Sequence, residues 1–472
     1  MADQKQRPDQ EYLVLKKAYE KNRIMRGEDH PDTLASLDRL ADYYDRIGDY
    51  DAAIELEEEM LTKRNSMLSV KDDAVIDTYS RLAGYYCHRR DFPLALRLAK
   101  HALKTRRETR GEDDPLTWNT AGRLANIYAD AELYDDAIEL CLSIKAKREA
   151  MYGENSHQAA VSADNLGSYY AGKGDIETAI RYGKEALRRY HEAADDPANI
   201  LRCADRLSGY YTKLRRYDDA IRVEEEVLSQ FRENEGENHP ETITVLNNLA
   251  YIYGRSHDNN RAVAYGLQAY EKCKACYGLE HLETLKAGRN LAGYYRNAGH
   301  YERAAALGET NLKSLRILYG ELAPETIAEE LSLAESYANL KNSKKAMHVC
   351  EDAVSHLRES LGFKEPMTLK AVSALSDYCL LDGNMEEAIS LKTYVFESRK
   401  EVLGEDRRET LRAAASLVHL LIQDHQIEPA LDLANQYFDR IRTAFGKVHP
   451  ITRTFLQDVR RGLSEYDQNN GG

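Results

Sequence analysis

Three kinds of side chain in this 472-residue sequence could carry chemistry: a close cysteine pair, paired aspartates and the histidines. Cys273 and Cys276 lie three residues apart, a spacing used in metal and redox sites, but no second pair lies near them. The aspartate pairs could form a carboxylate dyad and occur at Asp113-Asp114, Asp135-Asp136 and Asp218-Asp219. No glycine-rich phosphate loop, zinc-protease motif, nucleophile elbow or calcium loop occurs in the sequence.

Position gives each of these groups a structural explanation. The cysteine pair falls inside a predicted helix, where packing is the simpler role. The aspartate pairs fall at predicted helix starts, where acidic groups favour the positive end of the helix dipole. Four histidines, His30, His239, His281 and His449, fall in the segments that start helices. We therefore predict no catalytic residue, no metal and no cofactor, and treat enzyme activity as uncertain.

The elements that position these groups repeat along the chain. A leucine followed by a small residue, which we call the marker, opens a recurring phrase such as Leu40-Ala41-Asp42-Tyr43-Tyr44. The markers stand at positions 41, 83, 125, 167, 208, 250, 292, 334, 376 and 418, spaced by 42 residues with one interval of 41. A fixed period of this length is typical of solenoid proteins built from repeated helix pairs.

The spacing within a unit predicts two helices. Leu40, Ala41 and Tyr44 form one apolar stripe, and Gly48 ends that helix because glycine tolerates positive φ. A second small residue, Ala53, follows its marker by twelve positions, and the same offset recurs in all the remaining units. Small residues at both places let two antiparallel helices approach closely. A connector such as Gly27-Glu28-Asp29-His30-Pro31-Asp32-Thr33 separates the units.

This pattern resembles the tetratricopeptide repeat, and the 42-residue period with its connector resembles the kinesin-light-chain type of that repeat. The heptad coiled coil of a kinesin light chain does not precede the repeats, so we expect that the protein is not itself a kinesin light chain. The predicted fold is all-α: a superhelical solenoid of about ten antiparallel helix pairs with a capping helix at each end. We expect a disordered N-terminus over 1–10, a capping helix over 11–30, ten repeats over 31–446, a C-terminal capping helix over 447–466 and a disordered tail over 467–472.

The resemblance also implies which positions face the concave groove, because in such arrays the first helices line it. The exposed positions there are the residue before each leucine and the residue after each marker. The first position is Arg or Asn in seven consecutive units, a pattern suited to carboxylates and to an extended peptide backbone. The alternative is that these arginines pair with neighbouring carboxylates. The candidate binding residues are Arg39, Asp42, Arg81, Arg123, Asn126, Asn165, Arg206, Asn248, Tyr251 and Asn290.

Composition limits the partners. The formal net charge is −14, which argues against nucleic acid as a partner. The sequence contains no run of about 18 apolar residues, so we expect no membrane span. Seven scattered cysteines suggest reduced thiols and a cytoplasmic location. We expect a protein-interaction scaffold that binds an extended, acidic peptide of a partner protein and could form a homo-oligomer through its terminal helices. The alternatives are an enzyme or a small-molecule sensor that uses the groove as a pocket.

Overall fold

The computed structural model describes residues 10–470, and within that range it contains 22 α-helices and no strand. The chain divides into two compact units, Met1–Gln230 and Phe231–Gly472. The first contains α1 to α10 and most of α11: Gln10–Arg26, Pro31–Arg46, Tyr50–Met67, Asp73–His88, Phe92–Arg110, Pro115–Asp130, Tyr134–Tyr152, His157–Lys173, Ile176–Glu192, Pro197–Lys213 and Tyr217–Asn234. The second contains α12 to α22: Pro240–Arg255, Asn259–Tyr277, Leu282–Asn297, Tyr301–Tyr319, Pro324–Asn339, Ser343–Ser360, Pro366–Asp382, Met385–Leu403, Arg408–Gln423, Ile427–Phe445 and Pro450–Asn470.

Within each unit the predicted helix pairs are confirmed. The marker and the small residue twelve positions later are both fully buried, as Ala41 with Ala53 and Ala334 with Ala346 show. First helices also pack against the first helix of the next repeat, as α4 does on α6 and α14 on α16. The two alanines allow close approach within a pair, and the next repeat covers the apolar surface that remains.

A hydrogen bond between a threonine hydroxyl and a glycine carbonyl recurs in the connectors and stabilises them. Gly27 ends α1 with φ of 96°, and the hydroxyl of Thr33 donates to its carbonyl oxygen at 2.8 Å. The same bond joins Thr117 to Gly111, Thr242 to Gly236, Thr326 to Gly320 and Thr368 to Gly362. The threonine of each motif thus satisfies a carbonyl that the ending helix leaves without a partner.

The residue equivalent to Gly48 has a left-handed backbone conformation in all ten repeats, including those without a glycine. Gly48 has φ of 81°, as predicted, whereas six other repeats place a larger residue there, with φ between 57° and 66°. These residues are Arg90, Glu132, Arg215, His257, Lys341 and His425. Positive φ is unfavourable for residues other than glycine. A backbone hydrogen bond from the next residue to the first helix stabilises the turn, as Asp91 N–H does with the Tyr86 carbonyl at 2.8 Å.

The helices at the two ends differ slightly from expectation. The expected disordered N-terminus lies outside the described residues except for Gln10, which begins α1. The last helix continues to Asn470, past the predicted end at 466, and only residues 471–472 of the expected tail lie outside the description. No helix in the described range is long and apolar enough to cross a membrane.

Candidate binding groove

The second unit contains a groove of about 720 Å³, lined by the first helices of four consecutive repeats, α12, α14, α16 and α18. The residue after the marker lies in its wall in each repeat: Tyr251, Gly293, Glu335 and Asp377. At Gly293 a side chain would meet only the tip of Arg296, at 3.8 Å, so the glycine leaves the wall open. Two of the candidate binding residues, Tyr251 and Asn290, therefore lie in one groove.

The groove is largely aromatic and apolar. Tyr251 is 53% exposed and shares the wall with Tyr294, Tyr378 and Met367. Burial raises the pKa of Tyr294 to about 12, so its hydroxyl stays neutral at physiological pH. Such a surface can pack the apolar or aromatic side chains of a bound segment.

The three cations of the wall differ in their partners. Arg289 and Lys370 form no salt bridge or hydrogen bond with the described residues. Arg296, in contrast, donates to the hydroxyls of Ser332 and Ser336 at 2.9 and 3.2 Å, and its second nitrogen lies 3.0 Å from a Glu335 oxygen. Arg296 and Glu335 therefore compensate each other, while Arg289 and Lys370 do not take part in that pair.

A buried lysine compensates the second acid of the wall. Lys392 of α19 is only 7% exposed, and its Nζ lies 2.8 Å from Asp377. The same ammonium group donates to the carbonyl and hydroxyl oxygens of Ser373, at 3.0 and 2.8 Å. Both acids of the wall are thus paired, so the unbalanced charges among its described residues are positive.

A carboxyl group lies buried behind this wall. Glu329 of α16 is fully buried, and no hydrogen bond of ordinary geometry reaches either of its oxygens within the described chain. Gly308 of α15 lies beside it: a Cβ there would be in ordinary van der Waals contact with Oε1, at 3.5 Å. Burial raises the pKa of Glu329 to about 7, against the opposing attraction of Arg289 and Arg296 and a weaker effect of Asn311.

Sequence reasoning missed most of this site, although a signal was present. Glu329 stands five residues before its marker, where neighbouring repeats have Val245, Ala287 and Ala371. Lys392 stands sixteen residues after its marker, where most repeats have Ala, Gly or Cys. A charged residue at a position that is small or apolar in the other copies would have identified both.

In the first unit, Arg81 is held in ion pairs. Its Nε lies 2.8 Å from the fully buried Glu57, and its Nη2 lies 2.5 Å from Asp38. Arg64 also pairs with Asp38, at 2.8 Å. Arg206 likewise pairs with Asp164 at 2.7 Å and donates to Ser168 at 3.0 Å. Both arginines link a first helix to carboxylates of the preceding repeat, which is the structural alternative considered from sequence.

The other candidate residues of this unit fall into two groups. Arg39 and Arg123 are exposed, Asn165 is half-buried, and none of the three has a hydrogen bond or salt bridge within the described residues. Asp42 and Asn126 instead accept a hydrogen bond from the next repeat, from Tyr85 at 2.6 Å and from Tyr169 at 2.5 Å. In the second unit, Asn248 is half-buried on α12 and already has an interaction partner.

The cysteines and the connector residues have the structural positions predicted for them. Cys273 is buried, which raises its pKa to about 11, while Cys276 is exposed and contacts the Asn238 carbonyl at 3.2 Å. No cluster of three metal-ligating side chains occurs in the described range. The rings of three connector histidines accept a backbone N–H at a helix start: His30, His281 and His449. His239 instead lies 2.6 Å from Glu241.

Family models identify the repeats. A model described as tetratricopeptide repeat matches residues 75–140, 117–192 and 198–275, and a second model with the same description matches residues 33–73. Together they cover half of the chain. No curated protein matches the sequence.

Several solved structures are similar to this chain at low sequence identity. The apo form of RapI is 14% identical, with a TM-score of 0.50, over 79% of this chain and 98% of that one. A kinesin light chain with nearly identical TPR-like repeats, from Podosopora anserina, is 20% identical over 43% of this chain and 97% of that chain, with a TM-score of 0.41. BtubC from P. vanneervenii is 22% identical over 52% of this chain and 91% of that one, with a TM-score of 0.40.

Proposed function

Because this chain belongs to the tetratricopeptide repeat proteins, we propose that it is a protein-interaction scaffold whose second unit binds an extended, acidic segment of a partner protein in the groove of α12, α14, α16 and α18. The observation that carries the proposal is the charge balance of the wall. Glu335 and Asp377 are compensated by Arg296 and Lys392, whereas Arg289 and Lys370 remain available for carboxylates.

The rest of the wall suits a peptide more than a small polar ligand. Tyr251, Tyr294, Tyr378 and Met367 offer apolar surface for side chains, and Asn290 can both donate to and accept from a peptide backbone. Carboxylates bound by arginine through paired hydrogen bonds would set the register of the segment, while aromatic contacts would contribute most of the affinity.

In the first unit, Arg39, Arg123 and Asn165 remain candidate contacts for a further stretch of the partner. Arg81 and Arg206 are weaker candidates because binding a ligand would require them to leave buried carboxylates.

A peptide-binding assay tests the proposal. The probe is a fluorescein-labelled eight-residue peptide of alternating Glu and Leu, and its Gln-Leu counterpart is the neutral control. We expect Arg289→Glu combined with Lys370→Glu to weaken binding of the acidic probe by roughly a hundredfold, which corresponds to about 1.4 kcal/mol per contact. Affinity should also fall as salt rises.

A matched double variant separates local contacts from net charge. Arg255 and Lys313 are exposed cations outside the groove wall with no salt bridge in the described chain. Arg255→Glu combined with Lys313→Glu changes the net charge equally and should leave probe affinity within about twofold, since distant exposed charges are screened. Equal losses in both double variants, or equal affinity for the acidic and neutral probes, would contradict the proposal.

A further inference from the structure

The buried carboxyl behind the groove has no structural role that its contacts explain. Neither oxygen of Glu329 has a hydrogen bond of ordinary length among the described residues; the Asn311 amide, which donates to the Leu285 carbonyl at 3.1 Å, acts on the carboxyl only as a weak donor. Adjacent repeats fill the same place with Val245, Ala287 and Ala371, so the fold does not require a carboxyl there. An unpaired buried polar group costs stability, which makes its presence beside a groove an indication of function.

Two arginines of the groove act electrostatically on Glu329. Of the helices packed against α16, α14 contributes Arg289 and Arg296, both of which line the groove. Several other charged groups on the helices packed against α16 are paired. Arg316 of α15 and His356 of α17 lie 2.8 and 3.0 Å from Glu330, Asp352 pairs with Arg316 at 3.1 Å, and Asp377 of α18 pairs with Lys392. Lys370 of α18 is exposed in the groove wall and has no salt bridge within the described residues.

The protonation state of Glu329 therefore changes the field at the site where an acidic segment would bind. The ionised carboxylate partly compensates Arg289, whereas the neutral acid leaves the charge of Arg289 available to a ligand. A bound anion in turn disfavours the carboxylate, because it repels that charge and attracts the same arginine. Binding and protonation must favour each other by the same factor.

We propose that Glu329 couples the binding of an anionic segment in this groove to the uptake of a proton, so that the groove holds such a segment more tightly as the pH falls from 8 to 6. The inference rests on the function proposed above. It assigns a regulatory role to a residue that does not touch the ligand.

The experiment compares wild type with Glu329→Gln, using the labelled Glu-Leu peptide between pH 6 and pH 8. The peptide carboxylates stay ionised throughout this range. For wild type we expect affinity to be roughly fivefold higher at pH 6 than at pH 8, at the lower end of typical coupling between sites. Calorimetry in buffers of different ionisation enthalpy should show proton uptake near pH 7 in wild type and much less in Glu329→Gln.

Histidines titrate in the same range, but they are common to both proteins, so only the difference between the two profiles reports on Glu329. If Glu329→Gln does not fold, Glu329→Ala replaces it, since Ala371 occupies the same place in the next repeat. If both proteins bind the probe and show the same pH profile and the same proton uptake, the coupling is overturned while the peptide-binding function stands. Absence of probe binding at every pH would instead contradict the function, and the coupling with it.

Discussion

Arg81 on α4 donates through Nε to the buried carboxylate of Glu57 on α3, at 2.8 Å, and so joins two consecutive repeats of the first unit. Arg123, at the same position in the next repeat, is exposed and has no salt bridge in the described chain. Two residues that are equivalent in sequence therefore differ in environment, because Glu57 stands where the following repeats place Ala99 and Cys141.

This difference gives a matched pair of variants. Arg81→Glu places a third carboxylate beside Glu57 and Asp38 and should lower the free energy of unfolding by about 3 to 5 kcal/mol. Arg123→Glu should change it by less than about 0.5 kcal/mol. Urea unfolding followed by circular dichroism measures both, and similar values for the two would show that the ion pairs around Arg81 do not stabilise the first unit.

The hydrogen bond between repeats from Tyr85 to Asp42 should be measurable. Tyr85 is buried and its hydroxyl lies 2.6 Å from Oδ1 of Asp42, which is exposed. Tyr85→Phe should destabilise the protein by about 1 to 2 kcal/mol, since the acceptor carries a charge but can return to water. A double-mutant cycle with Asp42→Ala tests the contact, because a coupling energy near zero would mean that the bond contributes nothing.

Close packing at the marker should make it intolerant of bulk. Ala250 is fully buried on α12 opposite the small residue Ala262, so Ala250→Leu should cost about 1 to 3 kcal/mol. Thr244→Leu, at an exposed position of the same helix, is the control and should change stability by less than about 0.5 kcal/mol. Thermal or urea unfolding of the two variants decides whether the face that carries Ala250 is packed as described.

The stability of the protein should depend on pH through Glu329. Its pKa is about 7 in the folded chain and near 4.5 when unfolded, so the folded state retains a proton that the unfolded state has lost between these values. The contribution of Glu329 to stability therefore falls as the pH rises from about 4.5 to about 7 and is constant above that, with a total change of at most about 3 kcal/mol.

Urea unfolding of wild type and Glu329→Gln at pH 5 and pH 8 measures the pH-dependent contribution of Glu329 to the free energy of unfolding. The stability of the variant relative to wild type should be greater at pH 8 than at pH 5. Glu57, whose pKa burial also raises to about 7, contributes equally to both proteins and cancels in the comparison. A difference that is the same at both pH values would mean that Glu329 is ionised throughout.

The repeat period, the helix pairs and the small-residue contacts could be predicted from the sequence, because each depends on short-range spacing that recurs ten times. Ala41 and Ala53 are twelve residues apart in one hairpin, and the Gly27 and Thr33 connector is local in the same way. The resemblance to tetratricopeptide repeats implied which positions of the first helices face a groove, and two of the candidate residues, Tyr251 and Asn290, lie in the groove of the second unit.

Which of those positions keep a free charge was decided only by the tertiary structure. Arg81 and Arg123 are the same residue type in the same place, yet one is paired because a glutamate 24 residues earlier folds beneath it. Likewise, Lys392 reaches Asp377 across a helix pair, and Arg289 and Arg296 of α14 act electrostatically on the buried Glu329 of α16. Charge compensation depends on contacts between side chains of different helices, and these distances are set by packing rather than by the repeat period.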